Sequence, residues 1–168
     1  TYHGFEYDIV QIGNQCWFAE NLRNEHYANG DTIASEASLW QTAYDSNLGL
    51  QAVYAGDSLN VYGGSTDEAA NLADYGRLYN WYAVDDAREL CPSGWHVPTD
   101  GEYMILEIEL GMSESEVNLT GWRGTDQGTQ MKSSSTDSPS WNGSNTSGFS
   151  GLPGGYRNYL GYFEGASN

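Results

Sequence analysis

The chain has 168 residues, the size of one domain. Its 23 acidic and 6 basic residues give a formal charge of −17, which argues against sequence-independent nucleic-acid binding and electrostatic docking on anionic lipid, since both need Lys and Arg. An aromatic content of 14 %, with 6 Trp and 13 Tyr, excludes a disordered acidic chain; with 21 Gly it predicts a loop-rich fold of short strands whose core draws on Tyr and Trp.

Residues 5–18 predict a hairpin. Tyr7, Ile9 and Gln11 alternate with Asp8, Val10 and Ile12, and Gly13-Asn14 supplies a tight turn between two strand-like runs. Residues 19–34 read as irregular, with a turn at Asn29-Gly30-Asp31, and residues 35–64 as loops holding short pieces of helix or strand. A first helix is expected to begin near Ser65-Thr66-Asp67-Glu68, where a hydroxyl cap and acids suit an N-terminus. Behind it Leu78, Tyr79, Trp81, Tyr82 and Val84 form an apolar pattern read as core. A second helix opens on the capping box Thr99-Asp100-Gly101-Glu102, with Pro98 blocking propagation backward. Tyr103, Leu106 and Leu110 recur at helical spacing, Met104, Ile105 and Ile108 widen the stripe, and Gly111 suits the residue after the C-cap. Residues 121–150 are rich in Gly, Ser, Thr and Asn, and the later GLPGGYRN and GYFEG read as strand ends and turns. No repeat of fixed period and no membrane-length apolar run occurs. The chain starts at Thr1 without a basic-then-apolar leader, so it is expected to be a mature or excerpted piece.

The sequence lacks a phosphate-cradling glycine loop, a CxxC pair, HExxH and GxSxG, so neither catalysis nor a cofactor is expected. His3, His26 and His96 are scattered, and two cysteines without a spaced His pair argue against zinc. Asp85-Asp86 and Glu107/Glu109 are spaced so that their side chains diverge on a helix. Calcium is the one metal with candidates, at Asp126 and Asp137 beside Asn and Ser oxygens, although no DxDxDG-type loop is present. An even pair of cysteines in an acidic, lysine-poor chain predicts an oxidising setting and a Cys16–Cys91 disulfide, with two unrelated buried thiols as the alternative. Asn118-Leu119-Thr120, Asn142-Gly143-Ser144 and Asn145-Thr146-Ser147 fit the N-glycosylation pattern.

Four ordered blocks then carry a resemblance: VQIGNQCWFAENLR (10–23), YGRLYNWYAV (75–84), CPSGWHVPTDGEY (91–103) and GFSGLPGGYRN…GYF (148–163). Together they resemble the Fibrobacter succinogenes major paralogous domain, common in surface and secreted proteins of the Fibrobacter and Bacteroidota lineages. More distantly, WHVPTDGEY is similar to the R-L-P-T-E-x-E-W passage of formylglycine-generating enzymes. The resemblance implies an α+β, C-type-lectin-like domain over 1–168, with two helices, small twisted antiparallel sheets and long loops. That enzyme's copper-binding cysteines lie near its C-terminus, and no Cys follows Cys91, so its activity is not expected. The resemblance also implies that the family's last strands are wanting here, either because they lie beyond Asn168 or because a neighbouring subunit completes the sheet, and that in a longer form a later Cys competes with Cys16 for Cys91. In a Bacteroidota source it points to O-glycosylation of Thr32 and Ser58, in Asp31-Thr32-Ile33 and Asp57-Ser58-Leu59.

The function expected is non-enzymatic binding or adhesion at an extracellular cell surface, toward a glycan or a protein. A structural subunit of a fibre, surface layer or virion is the alternative, and an enzyme of unknown type the third. Binding is expected within residues 122–162, through Trp122, Trp141, Tyr156, Tyr159 and Tyr162 with Arg157 and Asn158, because large rings with a polar edge on loops make good contacts. The competing reading packs Tyr156 and Tyr162 under the sheet.

Overall fold

The computed structural model describes residues 1–54 and 67–166. In chain order these form β1 (Ile9–Ile12), β2 (Gln15–Phe18), a 3-10 turn (Ala37–Leu39), α1 (Ala43–Ser46), β3 (Gln51–Val53), α2 (Glu68–Tyr75), β4 (Arg77–Tyr79) and α3 (Trp81–Val84). There follow α4 (Asp100–Glu109), α5 (Glu114–Val117), α6 (Gln127–Met131), β5 (Gly154–Arg157) and β6 (Phe163–Ala166). The fold is therefore mixed α/β, with β1–β2, β3–β4 and β5–β6 each a two-stranded antiparallel sheet. Where two helices were expected, six short ones occur among the described residues. Two compact units, interleaved in sequence, make up the described chain.

One unit comprises residues 7–20 and 98–152. Its hairpin turns at Gly13-Asn14, with Ile12 paired to Gln15. Gly13 has φ +58, the positive φ that the first position of a type II′ turn requires. Strand alternation sends Ile12 and Trp17 inward and leaves Ile9 and Gln11 at the surface. The core joins Ile12 and Trp17 to Leu106 of α4, with Val10, Leu110, Met131 and Phe149 around them. The Trp17 ring lies 5.3 Å from that of Tyr103 and 5.6 Å from that of Phe149, contacts typical of aromatic cores.

The expected capping box holds α4: Thr99 Oγ1 accepts from the Glu102 amide, and the Thr99 amide donates to the Glu102 carboxylate at 2.8 Å. The helix ends where Gly111, φ +98, donates to Ile108 and Met112 donates to Glu107, which is the Schellman closure. The apolar stripe is narrower than its pattern predicted, because Ile105 and Ile108 are exposed. Beyond α6 the loop folds back on itself, pairing Ser134 with Gly143 and Lys132 with Gly151. A Cβ at Gly143 would lie 2.2 Å from the Lys132 carbonyl oxygen, so the loop closes only with glycine there.

The other unit holds the described parts of 1–6, 21–97 and 153–168. Tyr27, Ile33, Ala83 and Leu90 form one core cluster, and Trp40, Ala43, Leu50 and Ala52 a second, with Phe163 packed on the latter. Helix α2 is capped by Asp67, whose carboxylate accepts from Ala69 and Ala70; the expected caps Ser65 and Thr66 lie outside the described residues. The apolar pattern after α2 is a strand and a short helix, not one helical stretch. Gly76 separates it from α2: its φ is +69, and a Cβ there would lie 2.7 Å from the Leu22 carbonyl oxygen. Asn80 then caps α3, accepting from the Ala83 and Leu50 amides and donating to the Leu48 carbonyl. Trp81, expected in the core, is 66 % exposed.

Candidate functional site

In the β5–β6 hairpin, Tyr156 pairs with Glu164 and Arg157 with Phe163. The connecting loop is built on Asn158. Its side-chain oxygen accepts from the Leu160 and Tyr162 amides at 3.0 and 3.1 Å, and its Nδ2 donates to Glu164 at 2.6 Å. The Tyr156 hydroxyl donates to the other Glu164 oxygen. Such local side-chain bonds fix a loop where the ladder cannot.

Beside this hairpin lies a groove of about 310 Å³, lined by the aromatic side chains of Trp40, Tyr44, Tyr79, Tyr82, Tyr156 and Tyr159 together with Asn80 and Arg157. Tyr44 and Tyr159 stand highly exposed, each at 80 %. The Arg157 guanidinium carbon sits 4.3 Å from the Trp40 ring centre and 4.7 Å from that of Phe163, and its Nε donates to the Gly161 carbonyl at 2.9 Å. Burial pushes the Arg157 pKa below its usual value, because the charged form loses hydration. The groove thus offers broad aromatic faces and one cation.

The structure brings together only some of the residues the sequence nominated. Tyr156, Arg157 and Tyr159 line the groove, Asn158 shapes its loop, and Tyr162 is 49 % exposed on the same hairpin. Neither Tyr156 nor Tyr162 is buried under the sheet. Trp122 and Trp141 belong to the other unit. Trp122 is fully exposed, and Trp141 is half-buried with the Lys132 ammonium 4.6 Å from its ring centre. Trp40, Tyr44 and Tyr82 were missed, since nothing local sets a lining aromatic apart from a core one.

Cys16 and Cys91 are free rather than bridged. Strand alternation exposes Cys16 opposite the inward Trp17, while Cys91 is part-buried, and burial, then the nearby Glu89 carboxylate, pushes its thiol pKa up. Asp137 serves a loop: it accepts from the Ser134 amide at 2.6 Å and from Asn145 Nδ2 at 3.0 Å, and these bonds hold its carboxyl below the usual range. Asp126 sits at the start of α6, and among the described residues no group of three or more His, Cys, Asp or Glu side chains converges. Asn118, Asn142 and Thr32 are exposed. Asn145 is half-buried and its amide nitrogen also donates to Ser150 Oγ, so a glycan there would displace two bonds. Ser58 lies outside the described residues.

Residues 10–168 match the Fibrobacter succinogenes major domain. The chain belongs to that family. No curated protein and no solved structure matches the chain. Among the described residues, no helix is long and apolar enough to cross a membrane.

Proposed function

We propose that the chain is a non-catalytic, cell-surface or extracellular binding domain of C-type-lectin-like fold, and that it takes a glycan in the groove beside the β5–β6 hairpin. One observation carries this reading: six aromatic side chains from three separate stretches of the sequence surround a single groove. Flat rings bury the C–H faces of a sugar, while Tyr hydroxyls and the guanidinium serve its hydroxyl groups. A volume of about 310 Å³ is at the small end of ligand clefts. It suits one or two sugar rings held in part, with the rest of the chain in solvent.

The lectin-like fold is supported by the short antiparallel sheets, by the capped helix at Thr99-Glu102 and by the loop-rich course of residues 121–153. An extracellular setting is supported by the composition and by the surface and secreted proteins in which such domains occur.

The experiment is affinity electrophoresis and calorimetry of the whole chain with cellohexaose, xylohexaose, mannohexaose and tetragalacturonate. At least one should bind, and a Tyr44→Ala, Tyr159→Ala double variant should lose that binding with its circular dichroism unchanged. Both side chains are mostly exposed, so their removal leaves the core alone. Binding unchanged in the double variant removes the groove from the account.

A further inference from the structure

We infer that the groove prefers glycans carrying an anionic group, a carboxylate or a sulfate, and that Arg157 makes the charge contact; this rests on reading the groove as a glycan site. In a chain of 23 acidic and 6 basic residues, a cation has many carboxylates to choose from. Arg77 pairs with Glu25 at 3.1 Å, Arg88 with Asp86 at 2.7 Å and Arg123 with Glu107 at 2.8 Å. Arg157 forms no ion pair among the described residues. Among the described residues its one hydrogen bond is that from Nε to Gly161, and neither terminal nitrogen has a partner there. Glu164, the carboxylate of the same hairpin, has one oxygen taken by the Tyr156 hydroxyl and the other by Asn158.

A guanidinium cannot shed its proton to escape burial. The part-buried charge of Arg157 therefore has no counterion among the described residues, and its lowered pKa reflects the lost hydration. An anion entering the groove would relieve this. The planar fork matches a carboxylate or a sulfate with two parallel bonds. Trp40 and Phe163 already hold that fork in place, so little side-chain freedom is lost on binding. The net charge of −17 opposes long polyanions at a distance. Screening over about 8 Å at physiological salt leaves the close contact intact, so short acidic oligosaccharides are the favoured ligands.

The test is calorimetry of the full chain in 0.15 M salt with three probes: tetragalacturonate, its neutral methyl ester, and a sulfated carrageenan tetrasaccharide. At least one acidic probe should bind about tenfold tighter than the ester, the scale of one charge-assisted contact. Which acidic probe wins separates carboxylate from sulfate. Arg157→Gln should weaken both acid and ester binding and bring the two to the same affinity, and Arg157→Lys, which retains charge without the fork, should keep only part of the preference. Should either variant unfold, the wild-type comparison of acid with ester still decides. Equal affinity for acid and ester, or a preference surviving in Arg157→Gln, overturns the anionic preference and leaves the glycan groove standing. Failure of these probes and of the three neutral hexaoses to bind overturns the groove itself, and this inference with it.

Discussion

Arg157 lies over the Trp40 ring with its guanidinium carbon 4.3 Å from the ring centre, joining the β5–β6 hairpin to the segment just before α1. The contact does two things at once. It covers one face of Trp40, itself 9 % exposed and part of a core cluster, and it holds a cation at the wall of the groove. A cation–π contact of this kind contributes on the order of 1 kcal/mol when partly desolvated. Site and core are thus continuous within this unit, and groove variants are best made at the exposed rim tyrosines.

The capping box of α4 is a local device with a local cost. Thr99→Ala removes the acceptor of the Glu102 amide and should lower stability by about 1 kcal/mol in urea denaturation, while Thr99→Ser should restore most of it. Equal stability of wild type and Thr99→Ala would show that the cap contributes nothing.

Two glycines should respond in opposite directions. Gly143→Ala places a methyl against the Lys132 backbone, which cannot rotate away, and should destabilise the chain by roughly 2 kcal/mol or more. Gly128, in α6, has no heavy atom within 4 Å of a new Cβ and no positive φ. Gly128→Ala should be neutral or stabilise by up to about 1 kcal/mol. Thermal melts of the pair check both, and a stable Gly143→Ala would contradict the close loop closure.

How much of this was legible in the sequence follows from how local each feature is. The Gly13-Asn14 turn and the Thr99-Glu102 cap are set by residues a few positions apart, and both stand where the pattern put them. The break after α2 was illegible because it depends on Gly76 meeting the backbone of Leu22, far away in the chain. The groove was half legible. Tyr156, Arg157 and Tyr159 advertised themselves in a polar, glycine-rich stretch. Trp40 and Tyr44 fall in a stretch that reads only as loop with short pieces of helix or strand, and Tyr82 reads as core, since only tertiary packing decides whether an aromatic faces a core or a groove. The same ambiguity misassigned Trp81, which looks like core and is exposed.

Asp86 gives an acid-limb prediction. Hydrogen bonding from Arg88, at 2.7 Å, holds its carboxyl down at about 2 in the folded chain. The unfolded value is about 3.9, so the folded state binds the proton less readily than the unfolded one. The stability this supplies is full above the unfolded value and is lost as pH falls through the folded one. In denaturation series from pH 6 to pH 2, the gap between wild type and Asp86→Asn should be constant near neutrality and narrow on acidification. A gap that does not change with pH would contradict the assignment.

The two thiols should label at different rates. Cys16 is exposed on β2, whereas burial and Glu89 hold the Cys91 thiol in its protonated, unreactive form. Iodoacetamide at pH 8, without reductant, should add one label quickly at Cys16 and a second slowly at Cys91 by intact mass. No label on either residue would instead restore the disulfide.

The most direct measurement is a titration of the ¹⁵N-labelled full chain with tetragalacturonate, followed by amide and indole shifts. The Trp40 indole N–H and the amides of Tyr82, Tyr159 and Gly161 should shift together and saturate with one affinity, and Tyr44→Ala, Tyr159→Ala should abolish the response. Shifts confined to the surroundings of Trp122 and Trp141, or no shift at any concentration with this probe and with the neutral hexaoses, would contradict a binding site in the groove.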